Sequence, residues 1–276
     1  MTELTAIVIE RDMVLVEGPE TAAFLHGQIS QDVEDLSVGE SRLSLLLEPR
    51  GRLEVFFRLT RIADEAFLMD TEPGSGEVLR SSLERFKLRT KAEFSQPDWS
   101  MLALRGPGAA TAAPSAAGAA TLDALWPGLE GVDVVGPELQ VPPGADVIDF
   151  AEYEDARARF GLPAMGLDVV EGDIPNDTDL LEVAVSFTKG CYRGQELVER
   201  IDSRAGGRRA LRRFSSTGSL SAGDELVVDG SPVGEVRSAV ASASGSVGFA
   251  LVAADAGGQA SFDGVSVELG ELRPPA

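Results

Sequence analysis

The chain has 276 residues, of which 43% are hydrophobic and 25% are charged, and its formal net charge is −21. This composition is typical of a globular protein with a substantial core. The strong negative charge argues against non-specific binding to nucleic acid or to an anionic membrane, because both need a basic surface. With one cysteine and one histidine, the chain has too few ligands for an internal disulfide, a Cys/His zinc site or an iron–sulfur site of its own.

The beginning of the sequence bears on localisation. Residues Met1–Leu4 have neither the basic start nor the apolar core of a signal peptide. No apolar run in the chain is long enough to span a membrane. We therefore expect a cytoplasmic protein without a direct membrane or nucleic-acid partner.

The first third of the chain predicts an α+β unit. Pro19 suits the first turn of a helix that begins near Thr21. The spacing of Val78, Leu79, Leu83 and Phe86 predicts an amphipathic helix over residues 76–89. Apolar runs predict four strands, at residues 12–16, 44–47, 53–59 and 66–70, with a hairpin turn at 48–52.

An internal repeat follows. The run Met13–Val16 and the Gly18-Pro19 turn after it match Met101–Leu104 and Gly106-Pro107, 88 residues later. The match predicts two similar α+β units in tandem, and the alternative is a chance similarity between two strand–turn–helix patterns.

The remaining sequence predicts one further helix and then an all-β module. Spacing over residues 149–160 favours a helix that Gly161 ends, whereas the Ala-rich stretch 109–120 fits either a thin helix or a flexible surface segment. From about residue 208 a hairpin with an Asp229-Gly230 turn and two further strands predict a barrel or sandwich. We therefore divide the chain into a first α+β unit (1–95), a second (96–205) and a C-terminal β-barrel (206–276).

The segment Lys189–Arg200 carries the densest chemistry. It contains the single cysteine between two glycines, Gly190 and Gly194, and the apolar run Val183–Phe187 before it predicts a strand. This order predicts a strand, a tight turn and then a helix. A thiol close to a helix N-terminus and to Lys189 has a lowered pKa. The alternative is a glycine-rich connector with a buried, inert cysteine.

The motif Lys-Gly-Cys-Tyr-x-Gly-Gln-Glu-x-x-x-Arg in this segment resembles the signature of the YgfZ family, folate-binding relatives of the glycine-cleavage T-protein. Further segments that resemble the family pattern are 18–33, 49–56, 161–168 and 201–204. The resemblance implies two ferredoxin-like α+β units around a central channel, with a C-terminal β-barrel beside them. It also implies binding of tetrahydrofolate or a one-carbon derivative, and an accessory role toward iron–sulfur client or assembly proteins.

Site residues follow from this resemblance and from local chemistry. We predict Cys191 as a reactive thiol and Glu54 as a weak candidate base. The predicted folate-binding residues are Gln28, Asp32, Arg52, Lys189, Gly190, Tyr192, Gly194, Gln195, Glu196 and Arg200; no metal ligands are predicted. For these residues the alternatives are helix capping, turn chemistry and solvated surface charge.

Two departures from the family pattern limit the prediction of catalysis. T-proteins carry Gly-Gly-x-x-Asp-Asp, whereas Arg50–Phe56 here contains one acid, Glu54. The loop Ile174–Asp177 stands where the family places Pro-x-Glu. The leading hypothesis is therefore an accessory protein with little or no catalysis of its own. One alternative is a folate-dependent aminomethyltransferase that uses Glu54 or Asp32 as base, and another is an interaction module with a vestigial pocket.

Overall fold

The structure is a computed structural model, and it describes residues 3–204 and 207–272. The six α-helices of the described part are α1 (Thr21–Gln28), α2 (Gly76–Lys87), α3 (Ala109–Ala112), α4 (Phe150–Phe160), α5 (Leu181–Ala184) and α6 (Gln195–Asp202). The first ten strands are β1 (Thr5–Ile9), β2 (Asp12–Glu17), β3 (Ser41–Leu47), β4 (Leu53–Ala63), β5 (Ala66–Thr71), β6 (Glu93–Ser95), β7 (Ser100–Arg105), β8 (Ala120–Asp123), β9 (Gly131–Gly136) and β10 (Asp146–Val147). Those of the C-terminal part are β11 (Arg209–Ser216), β12 (Glu225–Val228), β13 (Ser231–Ser242), β14 (Gly245–Ala253), β15 (Gln259–Phe262) and β16 (Val265–Gly270).

Two five-stranded sheets form the α+β part of the fold. The first sheet has the order β3-β4-β5-β2-β6 and the second has the order β10-β1-β7-β9-β8. Helix α2 buries Leu79 and Leu83 completely, whereas Val78 and Phe86 are 38% and 37% exposed. The predicted four-residue apolar face is therefore wrong at its two ends. Phe86 instead lies 4.7 Å below the guanidinium of Arg193.

The internal repeat is confirmed by the pairing of the strands. By the 88-residue offset, strand β6 is the equivalent of β1 in the second repeat; β6 pairs with β2 in the first sheet, while β1 pairs with β7 in the second sheet. In the first sheet Glu17 faces Glu93, and in the second Arg105 faces Thr5. These two pairs are related by the same 88-residue offset, so each sheet contains one strand contributed by the other repeat.

The two repeated glycines fulfil the same role in this exchange. Gly18 has φ +137° and Gly106 has φ +106°, and a Cβ at either position would lie 2.4 Å from a backbone oxygen, of Lys91 and Glu3 respectively. Lys91 and Glu3 are again 88 residues apart. Only glycine allows the exchanged segment to approach so closely.

The C-terminal strands close into a six-stranded barrel, in the order β11-β14-β13-β12-β15-β16, with β16 pairing back to β11. Asp229 and Gly230 have φ values of +50° and +77°, which is the conformation that an Asp-Gly hairpin turn requires. The structure therefore confirms the α+β class and the barrel. Both predicted domain boundaries stay a prediction: the one at 95/96 separates β1 from β7, which are paired in one sheet, and the one at 205/206 lies outside the described residues.

Two predicted elements differ from the structure. Val183–Phe187 is not a strand, because α5 ends at Ala184 and the backbone after it bonds with the loop that follows α1. Ser186 N donates to Ser30 O at 3.0 Å, and Ser30 Oγ donates to Ala184 O at 2.5 Å. In the Ala-rich stretch only Ala109–Ala112 is helical, because Pro114 disfavours helical geometry at the residue before it. No helix in the described ranges is both long and apolar enough to cross a membrane.

Candidate functional site

The signature segment Lys189–Arg200 forms a turn that is pressed against the β3–β4 loop. Gly194, the N-cap of α6, has φ +82°, and a Cβ there would lie 2.5 Å from Glu48 O and 2.8 Å from Leu47 Cβ. Gly51 in the loop has φ +87°, and its Cβ would lie 2.7 Å from Gly194 O. The two glycines therefore allow a backbone contact that side chains would block.

Tyr192 and Gln195 stabilise this turn. The Tyr192 N–H donates to Gln195 Oε1 at 2.7 Å, and the Tyr192 side chain belongs to the core beneath the first sheet. Burial, with a smaller contribution from Glu199, raises the pKa of Tyr192 well above its ordinary value. Both residues thus have structural roles.

Lys189 caps the C-terminal end of helix α1. Its Nζ donates to three carbonyl oxygens, of His26 at 2.5 Å, Ile29 at 2.8 Å and Gln31 at 2.8 Å. Burial lowers the pKa of Lys189 to about 8, and the nearby carboxylate of Asp32 opposes this shift. All three ammonium protons have backbone acceptors, which fixes the signature segment to the loop after α1.

The structure brings several predicted residues together around the end of α1. His26 Nδ1 lies 3.3 Å from Asp32 Oδ1, although the atoms are not aligned for a hydrogen bond. An added Cβ at Gly190 would lie 3.7 Å from His26 Nε2. Gln28 is on the same helix end, and its Oε1 is buried without a partner among the described residues. The first-unit loop and the signature turn thus form one polar region.

Cys191 is exposed at the tip of this region. We expect the native protein to react with a small thiol reagent at one equivalent per chain, at the rate of a solvent-accessible thiol, because the side chain needs no unfolding to be reached. The release of chromophore from a disulfide reagent measures this rate, with the same protein in urea as the reference. A reaction that starts only in urea would contradict the exposed position.

Glu54 is held by the signature segment. Glu54 Oε2 accepts from Ser82 Oγ at 2.8 Å and forms an ion pair with Arg193 Nη2. Arg193 Nε also donates to Leu47 O at 2.7 Å. This ion pair joins the signature turn to β4 and α2. Arg193 was missed in the sequence analysis, although its place inside the signature motif was a signal.

The other predicted residues lie apart from this region or on the surface. Arg52 is exposed, and its Nη1 donates to Gly172 O at 2.6 Å. Glu196 and Arg200 are exposed on α6. Their roles in ligand binding stay predictions.

A separate cavity lies between the two sheets and beneath α4. It encloses about 90 Å³, and about 700 Å³ of open space when its mouth is included. Its charged and aromatic walls come from both halves of the chain, namely Arg11, Phe56, Phe57, Arg58, Glu72, Arg105, Trp126, Asp133, Phe150, Tyr153, Glu154 and Arg157. None of the predicted site residues is among the residues that line it.

Buried ion pairs cross this cavity from one sheet to the other. Arg58 on β4 binds Asp70 through Nε at 2.7 Å and Asp133 through Nη1 at 2.5 Å. Arg11 binds Asp70 at 3.0 Å, and Arg105 binds Asp133 at 2.8 Å. Burial would raise the pKa of Asp133, but Arg105 and Arg58 outweigh it and hold this pKa below its usual value. The pairs of Asp133 with Arg58 and Arg105 therefore stay charged inside the protein.

A second network connects the cavity to the barrel. Arg157 on α4 pairs with Asp168 at 2.5 Å and with Glu154 at 2.8 Å, and Asp168 also accepts from Ser238 of β13. Burial raises the pKa of Asp168 against the opposing effect of Arg157. The cavity arginines were missed by the sequence analysis because single arginines, far apart along the chain, form no motif. Within the described ranges, no group of three or more His, Cys, Asp or Glu is placed to hold a metal ion.

Comparison with known proteins agrees with this architecture. Residues 10–124 match the family model of the GCVT N-terminal domain. The glycine cleavage system aminomethyltransferase T from Bartonella henselae has the same fold, with a TM-score of 0.85, 20% identity and coverage of 98% of this chain and 86% of that one.

Relatives are found among named proteins. The tRNA-modifying protein YgfZ of Edwardsiella ictaluri is 30% identical over 71% of this chain and 66% of its own length. An iron-sulfur cluster assembly factor IBA57 homolog, mitochondrial, from Mycosarcoma maydis is 27% identical over 71% of this chain and 53% of its own length, so the chain spans about half of that relative. The fold, the matched domain and these similarities together place the chain in the YgfZ family.

Proposed function

We propose that this protein binds tetrahydrofolate, or a one-carbon derivative of it, in the cavity between the two sheets and acts in the cytoplasm as an accessory protein of iron–sulfur cluster assembly or repair. The observation that carries the folate part is the cavity itself, which combines aromatic walls with buried arginines and carboxylates. Such a set matches a flat heterocycle with both donor and acceptor edges.

The residues present fit such a ligand in chemistry and, for its ring end, in size. The enclosed volume of about 90 Å³ is below the roughly 300–1,000 Å³ of whole ligand pockets, so the remainder of the molecule would occupy the mouth. Phe150 and Tyr153, whose ring centroids are 6.1 Å apart, would stack against the ring. The carboxylates of Glu72 and Glu154 would accept its N–H groups.

The signature turn supports the accessory part of the proposal. Cys191 is exposed on a turn that Gly194, Lys189 and Arg193 hold in place. A rigid turn with an accessible thiol is suited to contact a client protein. The name of the fungal relative, an iron-sulfur cluster assembly factor, is in line with this role.

The transferase alternative receives less support from the geometry. Its candidate base Glu54 is engaged by Ser82 and Arg193, and it is absent from the cavity wall. An assay with an aminomethyl donor and tetrahydrofolate measures this activity directly, and turnover by the wild type would establish the transferase in place of the accessory role.

Calorimetric titration with tetrahydrofolate tests the folate proposal. We expect the wild type to bind and Phe150→Ala to bind roughly tenfold more weakly, because loss of one stacked ring costs about 1–3 kcal/mol. Phe150 is 60% exposed, so the fold tolerates this change.

Two variants serve as controls. Phe187→Ala removes another ring that is 51% exposed but lies outside the cavity, and it should bind like the wild type. Cys191→Ala should also bind like the wild type, which would assign the thiol to a later step. If the wild type gives no binding, the folate proposal fails and the protein is better explained as an interaction module.

A further inference from the structure

The wall of the cavity between the two sheets carries a hydroxyl that no described protein group uses. Tyr153 on α4 lines this cavity and is 7% exposed. Its hydroxyl makes no hydrogen bond with residues 3–204 or 207–272, and, unlike the Nε of Arg105, it is not closed off from solvent. A buried tyrosine hydroxyl normally has a partner, so this one is available to a ligand.

Packing fixes the ring that carries this hydroxyl. Helix α4 begins with a capping box formed by Asp149 and Glu152, directly before Tyr153. The ring centroid of Tyr153 lies 5.3 Å from that of Trp126 and 6.1 Å from that of Phe150. A ring that is held by a capped helix and by two aromatic neighbours has few rotamers available. The hydroxyl therefore has a fixed direction before any ligand binds.

The charges around Tyr153 place its hydroxyl on the cavity side. Burial raises the pKa of Tyr153 above its ordinary value, while Arg105 opposes this rise and Asp133 adds to it. Arg105 and Asp133 both line the cavity, so the hydroxyl on which they act lies beside it. Because its pKa is raised, the hydroxyl keeps its proton at neutral pH and can donate a hydrogen bond.

A second unused donor belongs to the neighbouring arginine. The guanidinium carbon of Arg105 lies 6.0 Å from the ring centroid of Tyr153. Its Nη1 donates to Leu104 O, Val132 O and Asp133 Oδ1, and its Nε is closed off from solvent without a partner. Its Nη2 makes no hydrogen bond with a described residue and is not closed off in this way. One kind of ligand group satisfies both free donors, namely a hydrogen-bond acceptor such as a carbonyl oxygen.

The acceptors on the same wall are already engaged. Both oxygens of Glu154 accept from Arg157, and the two oxygens of Glu72 accept from Arg11 and from the Met165 N–H. A carboxylate oxygen can still take a further N–H from a ligand, whereas the free donors have no partner at all among the described residues. An acceptor on the ligand therefore relieves the larger unmet need.

We propose that the Tyr153 hydroxyl selects the ligand ring by donating a hydrogen bond to a ring oxo oxygen, with Arg105 Nη2 as a second donor to the same edge of the ring. The assignment rests on the function proposed above, because it concerns the same cavity. It adds a requirement, which is that the bound heterocycle carries a carbonyl oxygen. A ring with an amino group at that position would turn a donor toward two donors and leave them unsatisfied.

Calorimetric titration of the full chain with two ligands tests the role of Tyr153. One ligand is tetrahydrofolate, and the other is its analogue in which an amino group replaces the ring oxo group. We expect Tyr153→Phe to weaken tetrahydrofolate binding about tenfold, because one buried hydrogen bond is lost, and to change the affinity for the analogue by less than about twofold. Equal weakening of both ligands, or of neither, would overturn the assignment while folate binding itself stood.

Thr178→Val is the matched control. It removes another buried hydroxyl, on a residue that is 2% exposed and lies outside the cavity, and it should bind tetrahydrofolate like the wild type. Tyr153→Phe keeps the packed ring and removes no hydrogen bond to a described residue. The midpoint of its urea-induced unfolding without ligand should therefore not fall, and a fall would show that the hydroxyl supports the fold instead of the ligand.

Small rings separate this assignment from the folate proposal. 2-Pyridone carries an oxo group on a single ring, whereas aniline carries an amino group. We expect 2-pyridone to raise the urea midpoint of the wild type more than that of Tyr153→Phe, and aniline to act equally on both. If tetrahydrofolate fails to bind but this difference is found, the folate proposal fails and the donor role of Tyr153 stands. An equal effect of 2-pyridone on both proteins would overturn that role.

Discussion

Replacement of Arg58 by methionine is expected to lower the free energy of unfolding by about 3–5 kcal/mol, because it leaves two buried carboxylates with one cation fewer each. Arg58 binds Asp70 in its own sheet and Asp133 in the other, and it is 5% exposed. Methionine fills a similar volume, so the loss reports on the charges rather than on a cavity. Urea-induced unfolding at neutral pH measures it.

The control for this change is Arg80→Met. Arg80 makes ion pairs with Glu77 and Glu84 on the surface of α2, and such pairs contribute about 0–1 kcal/mol. The lowered pKa of Asp133 stabilises the native state at any pH above the unfolded pKa of about 4, so the stability difference between wild type and Arg58→Met should narrow only as the pH falls below about 4. If Arg58→Met costs no more than Arg80→Met at neutral pH, the network does not hold the sheets together.

Gly194→Ala is the second change with a large expected effect, a loss of about 3–4 kcal/mol in the free energy of unfolding. The left-handed backbone alone costs about 1–2 kcal/mol for alanine. The added Cβ would also lie 2.5 Å from Glu48 O, so the turn must move away from the β3–β4 loop. The midpoint of urea-induced unfolding measures the total.

Gly166→Ala separates the cost of the left-handed backbone from the cost of the close contact made by the added Cβ. Gly166 has φ +81°, against +82° for Gly194, but no atom lies within 4 Å of its added Cβ. We therefore expect only the backbone cost there, about 1–2 kcal/mol. Equal losses at the two positions would mean that the contact between the signature turn and the loop contributes nothing to stability.

Local features of the fold were predictable because their causes are local. The Asp229-Gly230 turn, the helix that Gly161 ends and the repeated Gly-Pro turns each follow from a few neighbouring residues. The strand predicted at Val183–Phe187 was wrong because a short apolar run looks the same in the sequence whether its backbone pairs with a strand or with a loop. Its backbone bonds to Ser30, more than 150 residues away, and no local pattern shows this.

The site was predictable only in part for the same reason. The motif identified the signature turn, and the structure explains Gly194, Gln195 and Lys189 there as residues that shape and anchor it. The cavity between the sheets depends instead on long-range pairs such as Arg58 with Asp133. Each partner looks like an ordinary surface charge in the sequence, because only the packing of the two sheets removes it from water.

The exchange of strands between the two sheets has a consequence for how the chain is made. Strand β1 leaves the ribosome well before its neighbours β7 and β10, which lie about 95 and 140 residues later. Until then an apolar strand is left with unsatisfied edges, and such edges favour association with other chains. The nascent chain therefore stays vulnerable to aggregation until β7 and β10 are made, whereas the first sheet, whose strands all lie between residues 12 and 95, can form earlier.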